Sequence, residues 1–141
     1  GDVALAVTLA DDSAELRRGL SGVPSLPDKE GKIFLFPSEQ KHGIWMKDML
    51  FAIDIIWINN DLEVVHIEKD VKPETFPDIY APAEKARYIV ETNAYFIDTY
   101  RIEVGDKVSL PSSLVPFDVK KRQLINSQKI DDEVTDGEGS L

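Results

Sequence analysis

The chain contains no cysteine, which removes a disulfide framework, a thiol nucleophile and any cysteine-bound zinc in one step. Histidine is nearly as scarce. His42 and His66 are far apart and lack the i, i+4 spacing of a helical metal pair, so neither a metal site nor a cofactor is expected. No run approaches the roughly 18 apolar residues of a membrane span, and no basic region followed by an apolar stretch marks an export signal at the N-terminus. Cations are short too: 16 Lys and Arg stand against 26 Asp and Glu, a net charge of −10. Nucleic acid or an anionic membrane surface would meet net repulsion, and neither is an expected partner. A G-x-S-x-G elbow, a phosphate-binding glycine loop and a Ser/His/Asp constellation are also missing, which weakens the case for a hydrolase.

What is present suits an ordinary folded protein. The 141 residues are 43% hydrophobic and 30% charged, enough for one core that buries about two-thirds of the unfolded surface. Residues 1–115 read as a single globular domain and residues 116–141 as an extension. Its acids, Asp131, Asp132, Glu133, Asp136 and Glu138, read as a flexible solvated tail. Residues 3–9 are strand-like. Asp11, Asp12 and Ser13 supply oxygens for a helix start, residues 14–18 continue it, and Gly19 or Gly22 ends it. Residues 23–31 hold two prolines and read as a loop into a strand over 32–36, closed by Pro37. Residues 44–46 restart extended structure, and residues 51–58 are too short and too β-branched for a helix. Asn59-Asn60-Asp61 turns this strand into another over 62–67, a hairpin.

Residues 71–86 carry Pro73, Pro77 and Pro82 and read as an extended surface loop of a length that is often functional. A strand follows over 87–93, then a helical turn over 94–100, a tight turn at 104–106 and a last strand over 107–110. The expected fold is α+β, strand-rich, with a mostly antiparallel sheet or a partly closed barrel and one or two short helices.

Chemistry concentrates in three segments. Asp54 lies inside an apolar strand; a buried carboxylate there must meet backbone N–H groups and a cation such as Arg87 or Lys47, or keep its proton. Such a group either fixes the sheet or serves as an acid, base or ligand anchor. In Trp45-Met46-Lys47-Asp48 the alternation splits the side chains between faces unless the strand ends near Met46, which would leave Lys47 and Asp48 at a strand terminus. Core packing is the favoured reading of Trp45. Arg87, Glu91 and Asn93 share one face of the 87–93 strand, which is either a solvated outer face or a polar cleft, while Tyr88 lies on the other.

Several blocks together resemble a known family. Residues 18–22, 26–27, 31–36, 45–48, 54–58, 86–91 and 104–106, including Trp45-Met46-Lys47-Asp48 and Ala86-Arg87-Tyr88-Ile89-Val90-Glu91, are similar in order and spacing to the domain of unknown function 192 family. The resemblance implies a compact strand-rich α+β domain, frequently behind an export signal or lipoprotein anchor, with no established activity. On that basis an export signal once preceding Gly1 and an extracytoplasmic location, periplasmic or secreted, are expected. The family's usual Trp-Met-Lys-Asn ends here in Asp48, and its Ile-Pro-Leu-Asp is Phe51-Ala52-Ile53-Asp54.

The favoured expectation is a non-enzymatic binding or accessory domain for carbohydrate or another small polar ligand. Its cleft would hold Lys47, Asp48, Asp54, Arg87, Glu91 and Asn93, rimmed by Trp45 and Tyr88. Two other readings stand beside it. One is an enzyme with Asp54 as general base and Lys47 stabilising developing negative charge. The other is an interaction module acting through residues 71–82, which an exposed apolar patch at Phe76, Ile79 and Tyr80 would favour.

Overall fold

The computed structural model describes residues 2–116 and 118–119. The chain divides into two compact units, Gly1–Val108 and Ser109–Leu141. In the first, β1 (Ala6–Ala10) leads to α1 (Ser13–Arg18), β2 (Glu30–Gln40), β3 (Ile44–Trp45), β4 (Ile53–Ile58), β5 (Val64–Val71), β6 (Ile79–Tyr80), β7 (Ala86–Asn93) and α2 (Phe96–Tyr100). Five strands form one sheet in the order β1-β2-β7-β4-β5, and β3 pairs with β6 in a separate two-stranded sheet. The β1–β2 pair is parallel and the others antiparallel, so the sheet is mixed, and it is not closed into a barrel. Among the described residues of the second unit is a short 3-10 turn over Ser112–Leu114. No helix of the described residues is long and apolar enough to cross a membrane.

The local chemistry explains the elements. Asp12 caps α1 by accepting from the Glu15 amide at 2.8 Å, and the Glu15 carboxylate accepts from the Asp12 amide, a reciprocal capping box. Gly19 then stops the helix at φ 51°, ψ −125°, a backbone state that a side chain makes costly. In the hairpin, Asn59 Oδ1 accepts from the Asp61 and Glu63 amides at 3.0 Å each. The central strands β4 and β7 are buried along almost their whole length. Ile53, Ile55, Trp57 and Ile89 join Phe34 in the main core, to which the loops contribute Leu20 and Met49.

Three expectations are corrected. Pro37 does not close β2, which runs on to Gln40. The register against β7 slips between Leu35 and Gln40, and a residue without an N–H is tolerated where the ladder is interrupted. Residues 71–86 are not a plain loop, because Pro73–Thr75 forms a 3-10 turn and Ile79–Tyr80 pairs with β3. Residues 107–110 make only an isolated bridge, Glu63 with Lys107, rather than a strand. The acidic tail lies outside the described residues.

Candidate functional site

Glu91 sits in the middle of β7, opposite Lys32 of β2 on one side and Ile55 of β4 on the other. Directly opposed residues point to one sheet face, so Glu91 shares the core face with Ile89 and Phe34. It is 3% exposed, and its Oε1 accepts no hydrogen bond among the described residues. Burial pushes the carboxyl up to about 8 from an ordinary 4.5, with the Lys32 ammonium pulling weakly the other way. Near neutral pH the group is therefore largely protonated, and it can both donate and accept.

Glycine makes room in front of this oxygen. A Cβ at Gly19 would lie 2.8 Å from Phe34 Cζ and 3.7 Å from Glu91 Oε1. Glycine lets Phe34 pack this closely against the end of α1, beside a hollow of about 170 Å³ lined by Gly19, Phe34 and Glu91 together with Arg18 and Trp45. A more open hollow of about 350 Å³ shares Arg17, Arg18, Ser21 and Trp45 with the first and adds Lys47 and Asp48. Together they form one groove between α1 and the end of β3.

Both walls are fixed by hydrogen bonds. The strand β3 ends at Trp45, and the Met49 amide donates to the Met46 carbonyl, turning the chain through Lys47 and Asp48. Ser21 Oγ donates to the Lys47 carbonyl at 2.7 Å, and the Gly22 amide donates to the Asp48 carbonyl at 2.9 Å. Asp48 adopts φ 58°, a left-handed state open to Asn and Asp alike, which accounts for either residue at this place in the family pattern. Trp45 is 45% exposed, so the core reading of it is overturned; the buried tryptophan is Trp57. The Lys47 ammonium stands 5.8 Å from the Trp45 ring centroid, and the Phe76 ring, at the end of the Pro73–Thr75 turn, lies 5.0 Å from the same ring.

The structure thus brings together four of the eight expected site residues: Trp45, Lys47, Asp48 and Glu91. It places the other four elsewhere. Asp54 is fully buried, and its Oδ1 accepts from the Asp70 amide and its Oδ2 from the Ile97 amide, each at 2.8 Å. Asp70 has φ 49° at an irregular point of the β4–β5 ladder, so this carboxylate holds the end of β5 and the start of α2 in position. Asn93 donates from Nδ2 to the Leu26 carbonyl at 3.0 Å and pins the proline loop. Arg87 lies at the opposite end of β7 from Asp54, donating from Nε to the Phe36 carbonyl and from Nη1 to Asn60 Oδ1. Tyr88 is buried. The face of β7 bearing Arg87, Glu91 and Asn93 is not solvated. Arg17, Arg18 and Gly19 line the groove but carried no signal beyond a helix end, except that residues 18–22 form one block of the family resemblance.

The uncharacterized ACR family model, DUF192, matches residues 1–110. The chain belongs to this family. A UPF0127 protein of Thermococcus sibiricus is 34% identical over 104 residues, covering 72% of this chain and 64% of that protein. Another of Thermococcus gammatolerans is 36% identical over 105 residues, 73% and 65% of the two chains. The chain therefore spans a little under two-thirds of the length of these curated relatives. A crystal structure of a protein of unknown function from Novosphingobium aromaticivorans is 29% identical with a TM-score of 0.72, covering 75% of each chain. A Sinorhizobium meliloti protein, 22% identical with a TM-score of 0.68 over 76% of this chain and 95% of that one, shares the fold. DUF192 is an uncharacterised family of unknown function, so the groove itself has to carry any functional reading.

Proposed function

We propose that this DUF192 domain is a non-enzymatic binding domain for a small polar ligand, carbohydrate being the favoured class, and that it works outside the cytoplasm. The observation that carries the binding reading is Glu91 Oε1: a buried oxygen without a partner among the described residues, on a side chain that lines the hollow beside Gly19. A buried polar atom of this kind is costly, and a ligand hydroxyl would satisfy it. Trp45 offers an exposed aromatic surface at the mouth for an apolar sugar face. The proposed location rests only on the export signal that the family resemblance implies.

The test is heteronuclear NMR of the labelled chain titrated with neutral and acidic monosaccharides and polar metabolites. Shifts centred on Gly19, Trp45 and Glu91, reduced in Glu91→Gln, are the expected result. Shifts confined to other surfaces would overturn the reading. A second reading, an interaction module, is favoured by the exposed apolar patch of Trp45, Phe76 and Ile79; Tyr80, expected in that patch, is instead half-buried against the core. The general-base reading gains no support, because both Asp54 oxygens are taken up by backbone amides and the side chain has no access to solvent.

A further inference from the structure

The mouth of the groove has a charge opposite to that of the protein. Arg17 and Arg18 come from the last turn of α1 and Lys47 from the turn after β3, two segments remote in sequence. Among the described residues none of the three is in an ion pair, although acids outnumber bases by 26 to 16 in the chain. A favourable interaction with the helix C-terminus accounts for the two arginines but not for Lys47. One acid, Asp48, lines the outer hollow beside them, which leaves three cations to one anion there. The inner hollow shares Arg17 and Arg18 but adds Phe34, Leu20 and Met49, which are apolar and buried, and Glu91, its one carboxyl.

These two ends favour different ligand groups. An anionic group placed against Glu91 would meet a carboxyl among buried apolar side chains and lose most of its water. At the mouth the same group meets guanidinium donors that suit carboxylate and phosphate geometry. A neutral hydroxyl matches Glu91, since it both donates to and accepts from a carboxyl. Resting on the binding reading above, we infer that the ligand is a hydroxylated organic anion, with its carboxylate or phosphate between Arg17, Arg18 and Lys47 and a hydroxyl against Glu91.

Titration calorimetry and NMR on the full chain at neutral pH separate the possibilities. The probes are D-glucuronate, glucose 6-phosphate, D-glucose and inorganic phosphate, each at up to millimolar concentration. The sugar acid or the sugar phosphate is expected to bind about tenfold or more tighter than glucose, as charge-assisted hydrogen bonds would provide. Which of the two binds better identifies the anionic group. Arg17→Gln with Arg18→Gln, both exposed, should abolish that preference in a variant that still folds, and Lys47→Gln should reduce it; failure of either expectation in a folded variant overturns the assignment of the mouth. Glucose binding as well as the acids overturns the anion inference while leaving the sugar site standing. Phosphate alone binding as tightly as the sugar anions overturns the role of Glu91 in recognition. If none of the four probes shifts the groove, both the inference and the reading beneath it fall.

Discussion

Replacing Glu91 by Gln should make the domain more stable, and by an amount that depends on pH. The folded chain holds the Glu91 proton up to about 8, whereas the unfolded chain releases it near 4.5. Between those values the folded state binds more protons, so stability falls as pH rises, is flat below 4.5, and is flat again above about 8. At about 1.4 kcal/mol per pH unit, the full loss is about 5 kcal/mol, of which about 3 kcal/mol is already incurred at pH 7. Such a loss is large beside the 5–15 kcal/mol or so that holds a domain together. Gln cannot ionise and is otherwise close in shape to the protonated acid. The variant should therefore match the parent within about 1 kcal/mol at pH 5 and exceed it by about 5 kcal/mol at pH 9.

Urea unfolding at one-unit steps from pH 5 to 9, extrapolated linearly to water, measures that difference. Taking variant minus parent cancels the other titrating groups. The cations around Glu91 are Lys32, opposite it on β2, and Arg17 and Arg18 of α1, which line the same hollow. Two curves running parallel from pH 5 to 9 would refute the reasoning, because they would mean that Glu91 is hydrated or paired and that no unsatisfied carboxyl faces the groove.

Asp54→Asn should cost about 2–4 kcal/mol in the same assay, since the amide nitrogen would face one of the two backbone N–H groups that the carboxylate now receives. Gly19→Ala should cost about 1–3 kcal/mol and abolish ligand shifts in the groove, because the new methyl meets Phe34 at 2.8 Å in a left-handed backbone state; full stability with retained binding would show that the hollow is larger than it is drawn. Asn93→Ala should lose about 1 kcal/mol through its bond to the Leu26 carbonyl and leave ligand binding unchanged, and a binding defect at retained stability would return Asn93 to the site.

Strands β4 and β7 were legible in the sequence because each is a short apolar run rich in β-branched residues. Asp12 and Gly19 delimit α1, and Asn59 shapes the hairpin, through interactions of a few residues' range. The misread elements depend on distant partners. Pro37 stays in β2 only because β7 slips register opposite it, and residues 79–80 become a strand only because β3 lies alongside. The site shows the same division. The end of β3 correctly suggested that Lys47 and Asp48 gather at a strand terminus. Alternation along β7 grouped Arg87, Glu91 and Asn93 on one face, but it carried no information about which end of that face opens to a groove. Only the packing of Gly19 against Phe34 separates Glu91 from its neighbours, and that contact joins residues from α1 and β2.

The cost of Glu91 and the geometry around it bear on one another. A chain under selection for stability alone gains from Gln at position 91. Here the capping box delivers the chain to Gly19, and the Ser21 and Gly22 hydrogen bonds then hold that turn against residues 47–48, so the hollow cannot collapse onto Glu91. Collapse is the usual way a structure lowers the cost of such a void. With that route closed, a bound group is the remaining source of compensation. A ligand present at a hundredfold over its dissociation constant stabilises the fold by about 2.7 kcal/mol, comparable to the loss that Glu91 imposes at neutral pH. A probe that binds the groove should therefore raise the melting temperature of the parent protein more than that of Glu91→Gln, in which the deficit is already removed.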